Sequence, residues 1–101
     1  MYARHRKTGK KFAVNGLVLS PAPPEGSEWI FQPEDNMFRN KNTGEGRYHA
    51  PDGRVWCAEV PEIDDNGEFT QEWHHIGPGD PDWQVVGEND DERRYLSRCG
   101  Y

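Results

Sequence analysis

The chain has 101 residues, the size of one ordinary domain, and its net charge at neutral pH is −6. The mean hydropathy of −1.09 is low, but twelve aromatic side chains argue against a disordered chain. No apolar run reaches the roughly 20 residues that a bilayer-spanning helix needs, and no signal-peptide pattern follows the N-terminus. We expect a single domain over residues 1–101 in the cytoplasm, with residues 1–10 as a flexible basic arm.

The first predicted element is a hairpin in the segment KKFAVNGLVLS, residues 10–20. Asn15-Gly16 is a favoured two-residue hairpin turn, and apolar residues flank it on both sides. In that register Val14 would face Leu17 and Phe12 would face Leu19. The prolines of PAPPEG, residues 21–26, then predict a stiff loop, because proline cannot donate to a strand ladder.

A series of short strands is predicted next, separated by turns such as Pro51-Asp52-Gly53. The strand segments are EWIFQP, Met37–Arg39, Arg47–His49, Val55–Val60, EFTQEWHHI and WQVVG. Four of these strands each contain one tryptophan: Trp29, Trp56, Trp73 and Trp83. We expect most of these tryptophans in the core, with at most one or two as exposed anchors.

The C-terminal segment NDDERRYLSRCGY predicts the one helix, near residues 90–98. Asn89 is a candidate N-cap, acidic residues fill the first turn and arginines follow, an order that suits the helix dipole. Leu96 and Cys99, with Tyr95 beside them, form a narrow apolar stripe, and Gly100 can end the helix. The sequence therefore predicts a mainly β (α+β) fold, a small twisted antiparallel sheet or open barrel with one short C-terminal helix.

The segment EIDDNGEFTQE, from Glu62 to Glu72, contains five acidic residues and an Asn-Gly pair. If Gly67 is aligned with the glycine of an EF-hand loop, the bidentate glutamate of position twelve falls on Trp73. The neighbouring residues also favour strands rather than helices. We therefore predict a hairpin turn around Asn66-Gly67 and no calcium site.

Histidine and cysteine residues are candidates for a metal site or for a nucleophilic cysteine, and their spacing in the sequence bears on both. The candidates are His49, Cys57, His74, His75 and Cys99, and they form neither a Cys-x-x-Cys nor a His-x-x-x-His pattern. On a strand, His74 and His75 point to opposite faces. We expect no metal, no cofactor and no catalytic residues, and both cysteines as reduced thiols; a small metal-dependent or cysteine enzyme remains an alternative.

Charge is divided unevenly along the sequence. Residues 1–54 hold nine Lys/Arg and six Asp/Glu, a net of +3, whereas residues 55–101 hold three and twelve, a net of −9. From Val55 to Glu92 there is no Lys or Arg. Like charges repel over a Debye length of about 8–10 Å, and a basic partner relieves that repulsion. The predicted partner-binding residues are Glu62, Asp64, Asp65, Glu68, Glu72, Asp80 and Asp82.

In size, acidity and aromatic content the chain resembles the small inhibitors that phages encode against bacterial defences, including anti-CRISPR and anti-restriction proteins. The resemblance is one of type and rests on no shared motif. It implies a non-enzymatic inhibitor that blocks a basic groove of a nucleic-acid-handling protein in the host bacterial cytoplasm. The alternative is a nucleic-acid-binding accessory protein that uses the N-terminal arm. The arm's candidate residues are Tyr2, Arg4, His5, Arg6, Lys7, Lys10 and Lys11.

Overall fold

The computed structural model describes residues 1–101 as nine strands followed by one helix. The strands are β1 (Tyr2–His5), β2 (Lys11–Ala13), β3 (Val18–Ser20), β4 (Trp29–Gln32), β5 (Met37–Asn40), β6 (Gly46–His49), β7 (Val55–Ile63), β8 (Phe69–Ile76) and β9 (Trp83–Val86), and the helix is α1 (Asp90–Arg98). All strand pairs are antiparallel. The predicted mainly β fold with a short C-terminal helix is confirmed.

The larger sheet has six strands, and the short strands predicted between residues 29 and 60 form a meander within it. Strands β4, β5, β6 and β7 are neighbours in chain order, and β3 pairs with the other side of β7. The nine-residue β7 has two roles, because Val55–Cys57 pair with β3 whereas Ala58–Ile63 pair with β8. A register shift between Pro61 and Ile63 interrupts the β7–β8 ladder. Strands β3, β4 and β8 each have one strand neighbour and so lie at edges of the sheet.

The hairpin predicted around Asn15-Gly16 is wrong. Strand β2 pairs with β1, and β3 pairs with β7, so the two predicted arms lie in different sheets. Val14 and Leu17 are both buried in the main core, where they pack without forming a cross-strand pair. Neither residue of the Asn-Gly pair has the positive φ that the predicted turn requires.

The expectation that residues 1–10 form a flexible arm is corrected in part, because Tyr2–His5 form strand β1. Strand β1 is the central strand of a three-stranded sheet in the order β2-β1-β9. Its Ala3 is fully buried and lies opposite Phe12 on one side and Val85 on the other. Strand pairing on both sides holds Tyr2–His5 in the sheet, because backbone groups on each side of the strand can bond to a neighbouring strand.

Helix α1 begins and ends as the sequence predicts. The side chain of Asn89 accepts a hydrogen bond from the N–H of Glu92 at 2.9 Å, and Glu92 in turn accepts from the N–H of Glu88. Leu96 is buried, and Tyr95 places its hydroxyl 3.0 Å from the N–H of Leu17. Gly100, with φ of +86°, ends the helix.

The expectation that most of the tryptophans form the core holds only for Trp83 and, packed against the core, for Trp56, whereas the expectation of at most one or two exposed tryptophans is confirmed. Trp83 is buried at 3% exposure, whereas Trp29 and Trp56 are half-buried and Trp73 is 56% exposed. Trp29 and Trp73 lie on the edge strands β4 and β8, where fewer neighbours cover a side chain. Small and aliphatic residues form most of the main core: Ala3, Val14, Leu17, Ala58, Val60, Ile76 and Leu96. Helix α1 is not long and apolar enough to cross a bilayer.

Both cysteines are unpaired in the fold, Cys57 buried and Cys99 half-buried. Burial raises the pKa of the Cys57 thiol to about 11 and also raises the pKa of Cys99. A thiol with a raised pKa has little thiolate at neutral pH and reacts slowly.

We therefore predict that a thiol reagent finds two reactive groups in denatured, non-reduced protein and that Cys57 reacts far more slowly in the native protein. A Cys57→Ser variant assigns the slow group. The absence of free thiols in freshly purified, denatured protein would contradict this prediction.

Candidate functional site

The turn of the β7–β8 hairpin uses the Asn-Gly pair as predicted, in a different geometry. The N–H of Asp64 donates to the carbonyl of Glu68 at 2.9 Å, and the N–H of Gly67 donates to the carbonyl of Asp64 at 3.0 Å. Gly67 has φ of +79°, and Asn66 does not share this left-handed conformation. The turn therefore holds three residues and ends in a glycine bulge, rather than being a two-residue type I′ turn.

Asp64 has a structural role in this turn. Its Oδ1 accepts hydrogen bonds from the N–H groups of Asn66 and Glu68, each at 2.9 Å. This arrangement fixes the loop, since a short carboxylate can replace the backbone partner that a turn lacks. The carboxylates that stay available to a partner are therefore those of its neighbours.

Six of the seven predicted partner-binding residues are on the surface. Five lie on the β7–β8 hairpin, namely Glu62, Asp64, Asp65, Glu68 and Glu72, and the sixth, Asp82, is exposed in the loop before β9. The seventh, Asp80, is 5% exposed, so its assignment to the binding surface is wrong. Its Oδ1 accepts hydrogen bonds from the N–H groups of Asp82 at 2.8 Å and Trp83 at 3.0 Å. Asp80 thus closes the turn that leads into β9.

Removal of this buried acceptor should destabilise the fold. Asp80→Ala leaves two N–H groups without a partner, and we expect the free energy of unfolding to fall by about 1–3 kcal/mol. Asp80→Asn keeps an oxygen at the same position and should lose clearly less. Urea unfolding followed by tryptophan fluorescence measures both variants; equal losses would show that the charge, rather than the acceptor, matters.

In the fold, several acidic residues of segment 55–101 lie close to cationic side chains. Lys10 lies 3.3 Å from Glu68, and on α1 the arginines Arg93 and Arg94 pair with acidic residues one turn earlier. Histidines accompany two further acids: His75 Nε2 lies 3.2 Å from Glu59, and His74 Nδ1 lies 3.9 Å from Glu62. Within residues 55–101, three exposed acids have neither an ion pair nor a side-chain hydrogen bond: Asp65, Glu72 and Asp82.

An exposed aromatic cluster lies on the same hairpin. Trp73 and Phe69 are 56% and 40% exposed, and both contact Phe12 edge to face, with ring centroids 5.6 Å and 6.0 Å apart. The ammonium group of Lys10 lies 5.0 Å from the centroid of the Phe69 ring. We call Phe12, Phe69 and Trp73 the aromatic cluster. Its packing holds Trp73 in place while leaving much of its indole open to solvent.

The ladder register shows which hairpin residues accompany Trp73. Trp73 lies opposite Pro61, and His75 lies opposite Glu59, so these four side chains are on one face. His74 lies opposite Val60 on the other face, which confirms that the two histidines diverge. The indole therefore shares its face with the contact between Glu59 and His75 and lies within a hairpin that carries six acids.

The candidate metal ligands lie apart along the sheet. His49 packs against Phe31 and Phe38 at the β4–β6 end, while Cys57 is buried in β7 and Cys99 follows α1. No group of three or more His, Cys, Asp or Glu side chains is arranged to hold a metal ion.

The basic residues of the N-terminal segment are largely engaged. Lys11 places its ammonium 4.8 Å from the ring centroid of Tyr2, and Lys10 contacts Phe69 and Glu68. Arg6 donates from Nε to the carbonyl of Asp80 at 3.2 Å. The strand and these contacts hold the cations against the sheet, so they do not extend as one continuous arm.

One buried polar junction gave no signal in the sequence. Glu45 is 7% exposed, forms an ion pair with Arg47 and accepts a hydrogen bond from the N–H of Gly77 at 2.7 Å. Burial raises the pKa of Glu45, although the adjacent guanidinium opposes that rise. Arg47 also lies 5.0 Å from the ring centroid of Trp29 and donates to the carbonyl of His75. The contacts of Glu45 with Gly77 and of Arg47 with His75 connect the end of β8 to β6. No sequence motif indicates them.

Comparison of the chain with known protein families, with characterised proteins and with solved structures finds no match. The function is therefore inferred from the geometry and charge of the hairpin surface.

Proposed function

We propose that this chain is a small non-enzymatic protein-binding inhibitor whose β7–β8 hairpin occupies a basic groove of a nucleic-acid-handling protein. The hairpin carries six acids between Val55 and Ile76 and no Lys or Arg of its own. Acidic surfaces speed the encounter with basic grooves and orient the two proteins. A phage protein acting on a bacterial defence complex is the type of inhibitor that fits this size and charge.

The observation that carries the proposal is the exposure of Trp73 within the acidic hairpin. Tryptophan is one of the three residue types, with tyrosine and arginine, that are enriched among the residues contributing most to binding energy at protein interfaces. Phe12 packs edge to face against the indole and Phe69 packs against Phe12. The exposed acids Asp65 and Glu72 belong to the same hairpin. The aromatic cluster supplies apolar area, and the acids supply the preference for a basic partner.

The alternative that an N-terminal arm binds nucleic acid is less well supported. Strand β1 is enclosed between β2 and β9, and Lys10 is engaged with Glu68 and Phe69. A phosphate backbone would have to compete with these contacts and with the negative charge of the hairpin.

The experiment is a pull-down from bacterial lysate with the tagged chain, followed by mass spectrometry and by binding assays on the purified partner. A nucleic-acid duplex should displace the chain from that partner, because both would use the same groove. A partner that binds duplex and chain simultaneously and independently would contradict the proposal.

Charge reversal at the unpaired acids should weaken this association. Asp65→Lys combined with Glu72→Lys should lower the affinity more than tenfold, about 1.4 kcal/mol, chiefly through a slower association rate. These sites are chosen because neither carboxylate has a structural partner, so the fold should persist. Added salt should reproduce the loss in the unmodified chain. Lys7→Ala is the control, since Lys7 is exposed and unpaired on another part of the surface; a larger loss there than on the hairpin would overturn this prediction.

A further inference from the structure

Strand β4 has one edge without a partner strand, and its register shows which groups face outward. Its neighbour is β5, with Ile30 opposite Arg39 and Phe31 opposite Phe38. The N–H of Lys41 donates to the carbonyl of Glu28, so this pair is of the hydrogen-bonded type. Such pairs alternate along an antiparallel ladder. The N–H and C=O of Phe31, and the C=O of Trp29, therefore point away from β5.

This edge is apolar and exposed. Ile30 and Phe31 are 54% and 40% exposed, and Trp29–Gln32 contains no charge, proline or bulge. Edge strands usually avoid association by means of such features. Beside the strand lies a groove of about 580 Å³, whose walls include Pro23, Pro24, Phe31, Phe38 and His49. The rings of Phe31 and Phe38 lie 5.1 Å apart.

We propose that β4 pairs antiparallel with β4 of a second copy of this chain, about a two-fold axis that passes through Ile30. In this register Trp29 of each copy lies opposite Phe31 of the other, and both residues direct backbone groups to the open edge. Because the N–H of Trp29 already donates to the Oγ of Ser27, each pair forms one main-chain hydrogen bond, from the N–H of Phe31 to the C=O of Trp29, and the two pairs form two. The two six-stranded sheets become one continuous sheet.

The strand suits a second copy because it is complementary to itself. A two-fold contact requires that each residue find its own match across the axis. Here apolar Ile30 meets apolar Ile30, the outward groups of Trp29 meet those of Phe31, and Glu28 lies opposite Gln32, so no like charges face each other. The acidic hairpin of each copy belongs to a different edge strand, β8, and leaves this edge free of its charge.

The register predicts one position at which the copies can be joined covalently. Ile30 forms the non-hydrogen-bonded pair on the axis, where Cα atoms are about 4.5 Å apart, within the range of a disulfide. Ile30→Cys should therefore yield a cross-linked dimer under mild oxidation. Gln32→Cys on the same strand faces Glu28 of the other copy and should cross-link much less. The parent chain, with its own Cys57 and Cys99, sets the background.

Solution size tests the same contact without a covalent bond. Light scattering and sedimentation at about 100 µM, a concentration suited to a small interface, should show a dimer. Ile30→Lys places two charges on the axis and should lower the association constant at least about tenfold. Phe31→Pro removes the outward N–H as well as the ring, and should weaken association more than Phe31→Ala. Trp73→Ala, on the edge strand β8, should leave the dimer intact.

The outcomes separate this dimer from other occupants. Cross-linking at Ile30→Cys together with dissociation by Ile30→Lys supports the proposed pairing. A chain that stays monomeric at this concentration overturns it, and the edge then remains available to an extended segment of another protein. Equal cross-linking at Gln32→Cys, or a dimer that Ile30→Lys does not affect, overturns it as well.

Discussion

Trp73→Ala should weaken binding to the captured partner by about 2 kcal/mol or more, roughly thirtyfold, while the unfolding free energy changes little. The indole is more than half exposed, so its removal leaves no cavity in the free chain. In a complex, by contrast, the same side chain would lose its water and fill an apolar recess of the partner. Isothermal titration with the purified partner measures the loss, and urea unfolding measures the stability.

Ile30→Ala is the matched control for this prediction. Ile30 is exposed to nearly the same extent as Trp73, but it lies on β4 at the other edge of the sheet. Its replacement should change partner affinity by less than about threefold. At concentrations at which the chain is a monomer, a loss at Ile30 that equals or exceeds the loss at Trp73 would place the contact surface on β4 and contradict the proposed function.

Gly77→Ala should lower the free energy of unfolding by about 3 kcal/mol, or prevent folding. A Cβ at Gly77 would overlap the carbonyl oxygen of Gly46 and lie 2.7 Å from Nη1 of Arg47. The Gly46 obstacle is backbone within β6, so the chain cannot yield by rotating a side chain. If residue 77 moved away from Gly46 to relieve this overlap, the hydrogen bond from its N–H to Glu45 would break.

Gly16→Ala tests whether the effect is specific to the close approach. A Cβ at Gly16 meets its nearest neighbour, the hydroxyl of Tyr95, at 3.8 Å, an ordinary contact distance. Its stability should stay equal or rise slightly, because alanine has less freedom in the unfolded chain. Thermal unfolding of both variants, followed by circular dichroism, makes the comparison. A Gly77→Ala protein as stable as the parent would contradict the close approach of Gly77 to the Gly46 carbonyl.

The sequence predicts the elements whose signals are local. The meander from β4 to β7 follows from short β-prone runs separated by turn residues, and α1 follows from Asn89 with acids before arginines. The hairpin at Asn15-Gly16 fails because pairing with distant strands replaces the local pair. A turn dipeptide fixes a hairpin only if no other strand offers its arms a better partner.

The candidate site is predicted in part, and the misses have physical causes. Acid content marks the hairpin, but it cannot separate exposed Asp65 from buried Asp80, which closes a turn. Aromatic content does not reveal that Trp73 lies on an edge strand while Trp83 lies in the core. Burial of one tryptophan and exposure of another depends on strand order, which residue types alone do not encode.

The position of β1 between β2 and β9 has a consequence for how the chain folds. Ala3 must find Val85 across most of the sequence, so closing that contact costs about 2 kcal/mol more chain entropy than closing one hairpin of the meander. During synthesis β1 and β2 can pair early, but one side of β1 stays open until β9 emerges. Rates of folding fall as contacting residues lie further apart in sequence. We expect the meander to be ordered early and the three-stranded sheet to complete last, as the slow step in refolding.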